Sequence, residues 1–262
     1  MRILDLGLPA YDAAKAMQDE ALCRVLESGE ESLFLLEHPP VITFGRNGGE
    51  ENLSGGRAFF EARGVELVHS ARGGNITCHF PGQLVVYPIM RLDRRPGGLR
   101  RFFTDLEETV IRTLARFGLK AARMDGRPGV WVEDRKICSI GIAVKQWVSS
   151  HGLSLNVARD LSLFDLVSPC GLPGVRATSL HRELGDDSVS MAAVKTVFVR
   201  EFNELFPAGK AASPSRNTEK EAPPLRLPPW LRRPLPTARS FSRTRALLDG
   251  LTLATVCKGA KC

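Results

Sequence analysis

The sequence predicts an α+β fold over about residues 1–206, followed by a tail of different character. Three observations carry this. Strand-like runs come in pairs joined by short turns, as in ESLFLLEHPPVITFGR (residues 31–46) and GVWVEDRKICSIGIAVKQWV (residues 129–148). Such pairs are antiparallel, which argues against a doubly wound parallel sheet. Amphipathic helical patterns stand between the strand runs rather than alternating with them one for one. After Phe206 the composition shifts to Pro, Ala, Ser and charge, and residues 207–262 hold 8 of the 17 prolines.

The elements follow in order. MRILDLG opens the chain as a strand. YDAAKAMQDEALCRVLESG reads as a helix, with Ala14, Met17, Ala21, Leu22, Val25 and Leu26 near helical spacing and Gly29 as its stop. Cys23 falls beside that apolar stripe. The pair at 31–46 turns at Pro39–Pro40. Met90 to Gly98 is a polar, Pro/Gly-rich loop. LRRFFTDLEETVIRTLARFG is an amphipathic helix ended by Gly118. The pair at 129–148 turns at Glu133–Arg135, and HGLSLNV is a further strand. DDSVSMAAVKTVFVREFNELF closes the domain as a helix, with Asp187 or Ser188 as its N-cap.

The net charge of +7 suggests a nucleic-acid partner only until it is divided. Residues 207–262 hold 11 Lys+Arg and 3 Asp+Glu, a net +8, which leaves the body at −1. The basicity belongs to the tail, and the body offers no aromatic platform for bases. No apolar run is long enough to span a bilayer. The N-terminus meets acidic residues before a signal-peptide core could form, so a cytoplasmic protein is expected. Six cysteines at wide spacing (Cys23, Cys78, Cys138, Cys170, Cys257 and Cys262) argue against a disulfide framework.

Four segments could carry chemistry. ARGGNITCHFPGQLVVYP (residues 71–88) places a guanidinium beside two glycines and holds His79 at a Pro-Gly turn; a plain hairpin with a structural His reads equally well. It lacks the lysine and the spacing of a phosphate-cradling loop. Lys136 opens an apolar strand after a turn, where desolvation acts on an ammonium, although most lysines are simply solvated. Cys138, two residues on, is expected on the same strand face. His151 and Asn156 are polar residues on a half-buried strand and need partners, whether structural or catalytic. In SPCGLPG (residues 168–174), Cys170 sits between Pro169 and Gly171, on a loop better suited to be reached by a substrate than to fill a core. A thiolate there needs a cation or base nearby, and Lys136, His79 and His151 are the candidates from other segments.

Together and in this order, the four segments resemble the octanoyl transferases of protein lipoylation. That pattern runs R-G-G-x-x-T-[aromatic]-H-G-P-G-Q, K-I-x-x-[IL]-G, H-G-[LF]-A-L-N and P-C-G. Here it stands as Arg72–Gln83, Lys136–Gly141, His151–Asn156 and Pro169–Gly171, within a resemblance spanning nearly all of residues 1–206. The resemblance implies a mixed β-sheet flanked by helices, as in biotin and lipoate protein ligases. It implies an ATP-free reaction that takes an octanoyl group from octanoyl-acyl carrier protein. The group then passes to a lysine of a lipoyl domain, in E2 subunits or the glycine-cleavage H protein. It puts the nucleophile on Cys170 and the lysine that lowers its pKa on Lys136. It puts substrate binding on Arg72, Gly73, Gly74, Asn75, Ile76, Thr77, Cys78 and His79, on Ser139, Ile140 and Gly141, and on Gly152, Leu153 and Ser154. Leu153, Ile140 and Ile142 have the apolar character that eight carbons require. Three positions depart from the pattern: Cys78 replaces the aromatic, Phe80 the following Gly, and Ser154 the Ala. Phe80 is bulky enough to narrow the acyl slot. No cofactor and no metal are implied. The competing readings are an ATP-dependent lipoate or biotin ligase, an inactive scaffold that brings a lipoyl domain to a synthase, and a nucleic-acid binder.

The tail LRLPPWLRRPLPTARSFSRTRALLDGLTLATVCKGAKC resembles the start of lipoyl synthase, which opens with a Lys/Arg-Pro-x-Trp-Leu segment and reaches a C-x₄-C-x₅-C cluster motif. Cys257 and Cys262 supply two of those ligands, too few for a four-iron cluster. The expectation is a transferase and a synthase segment from a fused or adjacent gene pair, the second cut short. The tail is expected to be disordered and metal-free, with some helix in SRTRALLDGL, and lipoyl synthase is a candidate partner.

Overall fold

In the computed structural model, residues 1–167 and 175–207 are described here, and they belong to one compact unit. The main sheet contains β1 (Arg2–Asp5), β2 (Ser32–Leu36), β6 (Gln83–Ile89), β7 (Ala122–Met124), β8 (Arg127–Val132), β9 (Arg135–Lys145) and β10 (Val148–Asn156), in the order β1-β2-β6-β10-β9-β8-β7. β1 runs parallel to β2 and every later neighbour on this path is antiparallel. The short β11 (Arg176–Ala177) adds in parallel to the start of β9. A second sheet has β3 (Val41–Phe44) between a parallel β4 (Glu66–His69) and an antiparallel β5 (Ile76–His79). The fold is α+β with mixed sheets.

Helices cover both faces of the main sheet, and period-two alternation shows which residue goes where. On β2, Leu33 and Leu35 pack with Leu84 and Val86 of β6 beneath α3 (Gly98–Arg116), the short α4 (Leu180–Leu184) and α5 (Met191–Leu205), beside Phe102, Leu106, Val110, Leu180, Phe198 and Phe202. Phe34 and Leu36 face the other way with Val85, Tyr87 and Ile89, against Ala14, Ala21, Leu22 and Val25 of α1 (Tyr11–Ser28). A strand buried on both faces reads as an unbroken apolar run, as SLFLL and QLVVYPI do. The small sheet has its own core of Ile42, Phe44, Ile76, Cys78 and Phe80, closed by Phe60 of α2 (Arg57–Glu61).

Several boundaries differ from the sequence reading for local reasons. The strands flanking Pro39–Pro40 both form, yet they do not pair: β2 belongs to the main sheet and β3 to the small one. The Pro-Pro corner carries the chain from one sheet to the other. The N-cap of α5 is Ser190, whose hydroxyl accepts the Ala193 N–H at 3.2 Å. Asp187 is instead paired with Arg159 at 2.8 Å, and Ser188 is bonded to Asp186. Among the described residues, no helix is long and apolar enough to cross a membrane.

Candidate active site

The small sheet lies against β9 and β10, and the Arg72-Gly73-Gly74 turn that precedes β5 makes the join. The Gly73 N–H donates to the Ile142 carbonyl at 3.0 Å. A Cβ on Gly141 would stand 3.0 Å from the Gly73 carbonyl oxygen, so only a glycine lets the turn approach this closely. The Arg72 side chain, 7% exposed, fastens the turn to β3: its Nε donates to Thr43 Oγ1 at 3.0 Å, one amino group to the Thr43 carbonyl, and the other to the Gly73 carbonyl at 3.1 Å. The guanidinium is an architectural clamp as much as a charge.

Between the sheets runs a narrow cleft, open to solvent, with a cavity volume of about 60 Å³. Arg72 to Thr77, His79, Lys136, Ser139 to Gly141, and Gly152 to Ser154 all line it. Three separate stretches of sequence therefore meet in one place. Cys78 does not: it is fully buried, packs in the small-sheet core, and its Sγ donates to the Leu163 carbonyl at 3.6 Å. Alternation along β5 sends Ile76 and Cys78 into that core, and Thr77 and His79 toward the cleft. Phe80 also turns away, meeting Phe164 edge to face at 5.6 Å, so it does not narrow the slot. Ile140 and Leu153 border the cleft, but Leu153 belongs to the main core and Ile140 packs against it, as Ile142 does.

Lys136 reaches the cleft because β9 is bulged. Trp131 pairs with Lys136 but the next β8 residue, Val130, pairs with Cys138, leaving Ile137 as the extra residue. Ile137 and Cys138 then both point into the main core, and Lys136 takes the face of Ser139. The expectation that Cys138 shares a face with Lys136 is thus corrected by the bulge. Lys136 Nζ stands 5.4 Å from the centre of the Trp131 ring. Lys136 also lines a smaller adjoining cavity with Ile76, Thr77, Ser139, Asn156, Val167 and Val175. Cys170 lies outside the described residues, as do Cys257 and Cys262. Burial pushes the thiols of Cys78 and Cys138 up, which makes both poor nucleophiles at neutral pH.

The sequence reading missed the hydroxyl and imidazole cluster at the other side of the cleft. Both of the chain's tyrosines, Tyr11 and Tyr87, line it. The Tyr11 hydroxyl donates to Ser70 Oγ at 3.1 Å, and Ser70 Oγ lies 3.5 Å from His151 Nε2. His38 Nδ1 is 2.9 Å from the Pro9 carbonyl, which can only accept, so Nε2 accepts from the Tyr87 hydroxyl at 2.9 Å. The Gln83 amide NH₂ donates to Asn156 Oδ1 and to the Cys78 carbonyl, so Gln83 Oε1 accepts from His79 Nδ1 at 2.7 Å. Asn156 Nδ2 in turn donates to the Thr178 carbonyl at 2.9 Å. A polar-tipped aromatic inside an apolar run, as Tyr87 is in QLVVYPI, was the available signal.

These imidazoles are held neutral. Burial pulls His79 down to about 3, helped by His38 nearby, and His151 down to about 4, helped by Lys15 and Arg72. An unfolded histidine titrates near 6.5, so as pH falls below ~6.5 the unfolded chain takes up protons that the folded chain refuses. Stability is therefore expected to be flat above that point and to fall between about pH 6.5 and pH 4, by up to about 1.4 kcal/mol per pH unit for each imidazole. Urea midpoints against pH would show it, and His79→Gln should flatten the slope over the same window.

Comparisons with known proteins identify the family. Residues 10–203 match the family described as the lipoyl protein ligase A/B catalytic domain. An octanoyltransferase of Nitratidesulfovibrio vulgaris is 61% identical over 217 residues, covering 81% of this chain and 100% of the relative. One of Maridesulfovibrio salexigens is 55% identical over 207 residues, covering 79% of this chain and 96% of the relative. The chain belongs to the lipoyl protein ligase A/B catalytic family. Within it, the chain stands with the octanoyltransferases, which are acyltransferase enzymes. In fold it is similar to a bipartite lipoate protein ligase of Thermoplasma acidophilum, solved in a study that included its E2 lipoyl domain (TM-score 0.64, 20% identity, 95% of this chain and 91% of that one). It is equally similar to a lipoate-protein ligase A bound with ATP (TM-score 0.65, 19% identity, 95% and 94%). Residues 207–262 match the N-terminal domain of lipoyl synthase of the radical SAM family, a match that takes in the Pro-rich stretch as well as the segment from Leu225 onward.

Proposed function

We propose that residues 1–206 form a catalytic domain that moves an octanoyl group from acyl carrier protein to a lysine of a lipoyl domain by way of a thioester on Cys170. Residues 207–262 form the synthase-like tail. The observation that carries the reading is the place of Lys136. It lines both the cleft and the smaller cavity, and the latter is also lined by Val167 and Val175, the described residues on either side of the segment that holds Cys170.

The Cys170 thiolate, favoured by the Lys136 ammonium, attacks the carbonyl carbon of the octanoyl thioester. A new C–S bond forms, the π electrons move to oxygen, and collapse breaks the bond to the carrier sulfur, which leaves as a thiolate and takes a proton from the Lys136 ammonium, leaving that amine neutral. The lysine amine of the lipoyl domain then attacks the Cys170 thioester. An amide forms, the Cys170 thiolate is released, and Lys136 accepts the amine's surplus proton. A thioester going to an amide runs downhill, so ATP has no part. E2 subunits and the glycine-cleavage H protein are the proposed clients, and the cytoplasm the proposed setting.

The test is intact-protein mass spectrometry after mixing with octanoyl-acyl carrier protein without ATP. The expected result is a gain of one C8 acyl group, removed on adding an apo lipoyl domain. No adduct, or one that appears only with ATP and free octanoate, would move the assignment to the ligase reading.

A further inference from the structure

Thr77 is a buried hydroxyl without a hydrogen-bond partner among the described residues. It is 9% exposed, and no described residue offers its Oγ1 a hydrogen bond. The polar groups around it are engaged. Thr43, its cross-strand neighbour on β3, accepts from Arg72. His79, two residues along β5 on the same face, is bonded to Gln83, and Asn156 is bonded to Gln83 and to the Thr178 carbonyl. Asn75 Oδ1 also has no partner among the described residues, but of the two cavities Asn75 lines only the cleft. Thr77 lines both the cleft and the smaller cavity, in company with Ile76, Ser139 and Lys136. A buried unsatisfied hydroxyl costs stability, so its retention at that junction asks for a ligand acceptor.

We infer that Thr77 is a catalytic residue of the transfer, its hydroxyl donating a hydrogen bond to the acyl carbonyl oxygen as negative charge builds there. This rests on the transferase reading. An acyl chain lying in the cleft, with its reactive end beside Lys136, puts its carbonyl at the junction that Thr77 lines. A thioester carbonyl oxygen is an acceptor without a donor of its own, complementary to a hydroxyl that lacks an acceptor. The same oxygen becomes an oxyanion twice, once when the thiolate attacks and once when the lysine amine attacks. One donor therefore serves both half-reactions. Thr77 contributes only the hydrogen bond. No proton leaves it, and the bonds made and broken are those given above.

Thr77→Val keeps the shape and removes the donor; Thr77→Ser keeps the donor. Both would be measured in rapid-mixing acylation by octanoyl-acyl carrier protein and in chase by an apo lipoyl domain, alongside thermal melting. Thr77→Val is expected to slow both half-reactions by about 10²-fold with KM nearly unchanged. Its melting temperature should be equal to or above that of the unaltered protein, because an unsatisfied polar group has gone. Thr77→Ser is expected within about 5-fold of the unaltered rate, since it retains the oxyanion donor. The inference is overturned by a Thr77→Val enzyme of unaltered rate, by a Thr77→Ser enzyme as slow as Thr77→Val, or by a rate loss that tracks a lowered melting temperature. In each of those cases an octanoyl adduct on the unaltered protein leaves the transferase reading standing. Absence of that adduct overturns both.

Discussion

Cys170→Ala is expected to form no octanoyl adduct and to lose transfer by at least about 10³-fold, and Lys136→Ala to form the adduct slowly at neutral pH. The two losses have different causes and separate in their pH dependence. Without the Cys170 sulfur there is no atom to carry the acyl group, and no change of pH restores one. Without the Lys136 ammonium the sulfur remains but returns toward the ordinary thiol pKa of roughly 8.5, so only a few per cent is thiolate at pH 7. Acylation by Lys136→Ala should then fall about 10- to 100-fold at pH 7 and recover most of the difference by about pH 9. The sign follows from the charge: a cation favours the thiolate, so its removal moves the rising limb of the rate profile toward alkali. Single-turnover acylation followed by mass spectrometry from pH 6 to 9.5 would check both. A Lys136→Ala profile that stays parallel to the unaltered one would show that Lys136 acts by some route other than the thiol.

The same residues show how far the sequence alone could be read. The motif segments were legible because their chemistry is written in residue types, and three of them converge on one cleft through sheet pairing. What stayed hidden depended on register. The bulge at Ile137 breaks the two-residue alternation that would put Lys136 and Cys138 on one face, and nothing in RKICSIG announces it. Cys78 sits inside the substrate motif yet points into the small-sheet core, because alternation on β5 gives the cleft only every second side chain. The two strands around Pro39–Pro40 were legible as strands, but their separation into different sheets is a long-range matter, since β3 pairs with β4 and β5. The Tyr11, His38, Tyr87 and His151 cluster draws from residues far apart in the chain and has no local signature. Short-range chemistry is visible in sequence; the choice of partner across 30 to 130 residues is decided by packing.

Gly152→Ala is expected to be among the most damaging small substitutions in the sheet. A Cβ there would lie 2.1 Å from the Val86 carbonyl oxygen and 2.7 Å from Pro88 Cδ, both on β6. Neither atom can swing aside, for one is backbone and the other is a ring carbon on that backbone. β6 is itself pinned: Val86 is buried in the core under α3 and α5, and Tyr87 on the opposite face bonds His38. β10 would have to yield instead. It is held on its other side by the Leu153–Ile140 and Ser154–Ser139 pairs with β9. Its backbone is already turned at His151, whose φ of 55° lies in the left-handed region and whose N–H is tied to Gln18 Oε1 at 2.7 Å. Displacing β10 would carry Leu153 and Ser154 out of the cleft wall, so stability and acylation should fall together. The expected cost is about 3 kcal/mol or more, a drop of roughly 6–12 °C in melting temperature for a domain of this size. Gly141→Ala, on the facing residue of β9, is the matched comparison. Its Cβ would meet the Gly73 carbonyl at 3.0 Å and the Arg72 side chain at 3.2 Å, neighbours on a turn that can give by a few tenths of an ångström. It should cost about 1 kcal/mol while still slowing acylation, because the turn it pushes lines the cleft. Thermal melts of the two variants side by side would decide the matter: a Gly152→Ala protein no less stable than Gly141→Ala would mean that β6 and β10 can part at this point after all.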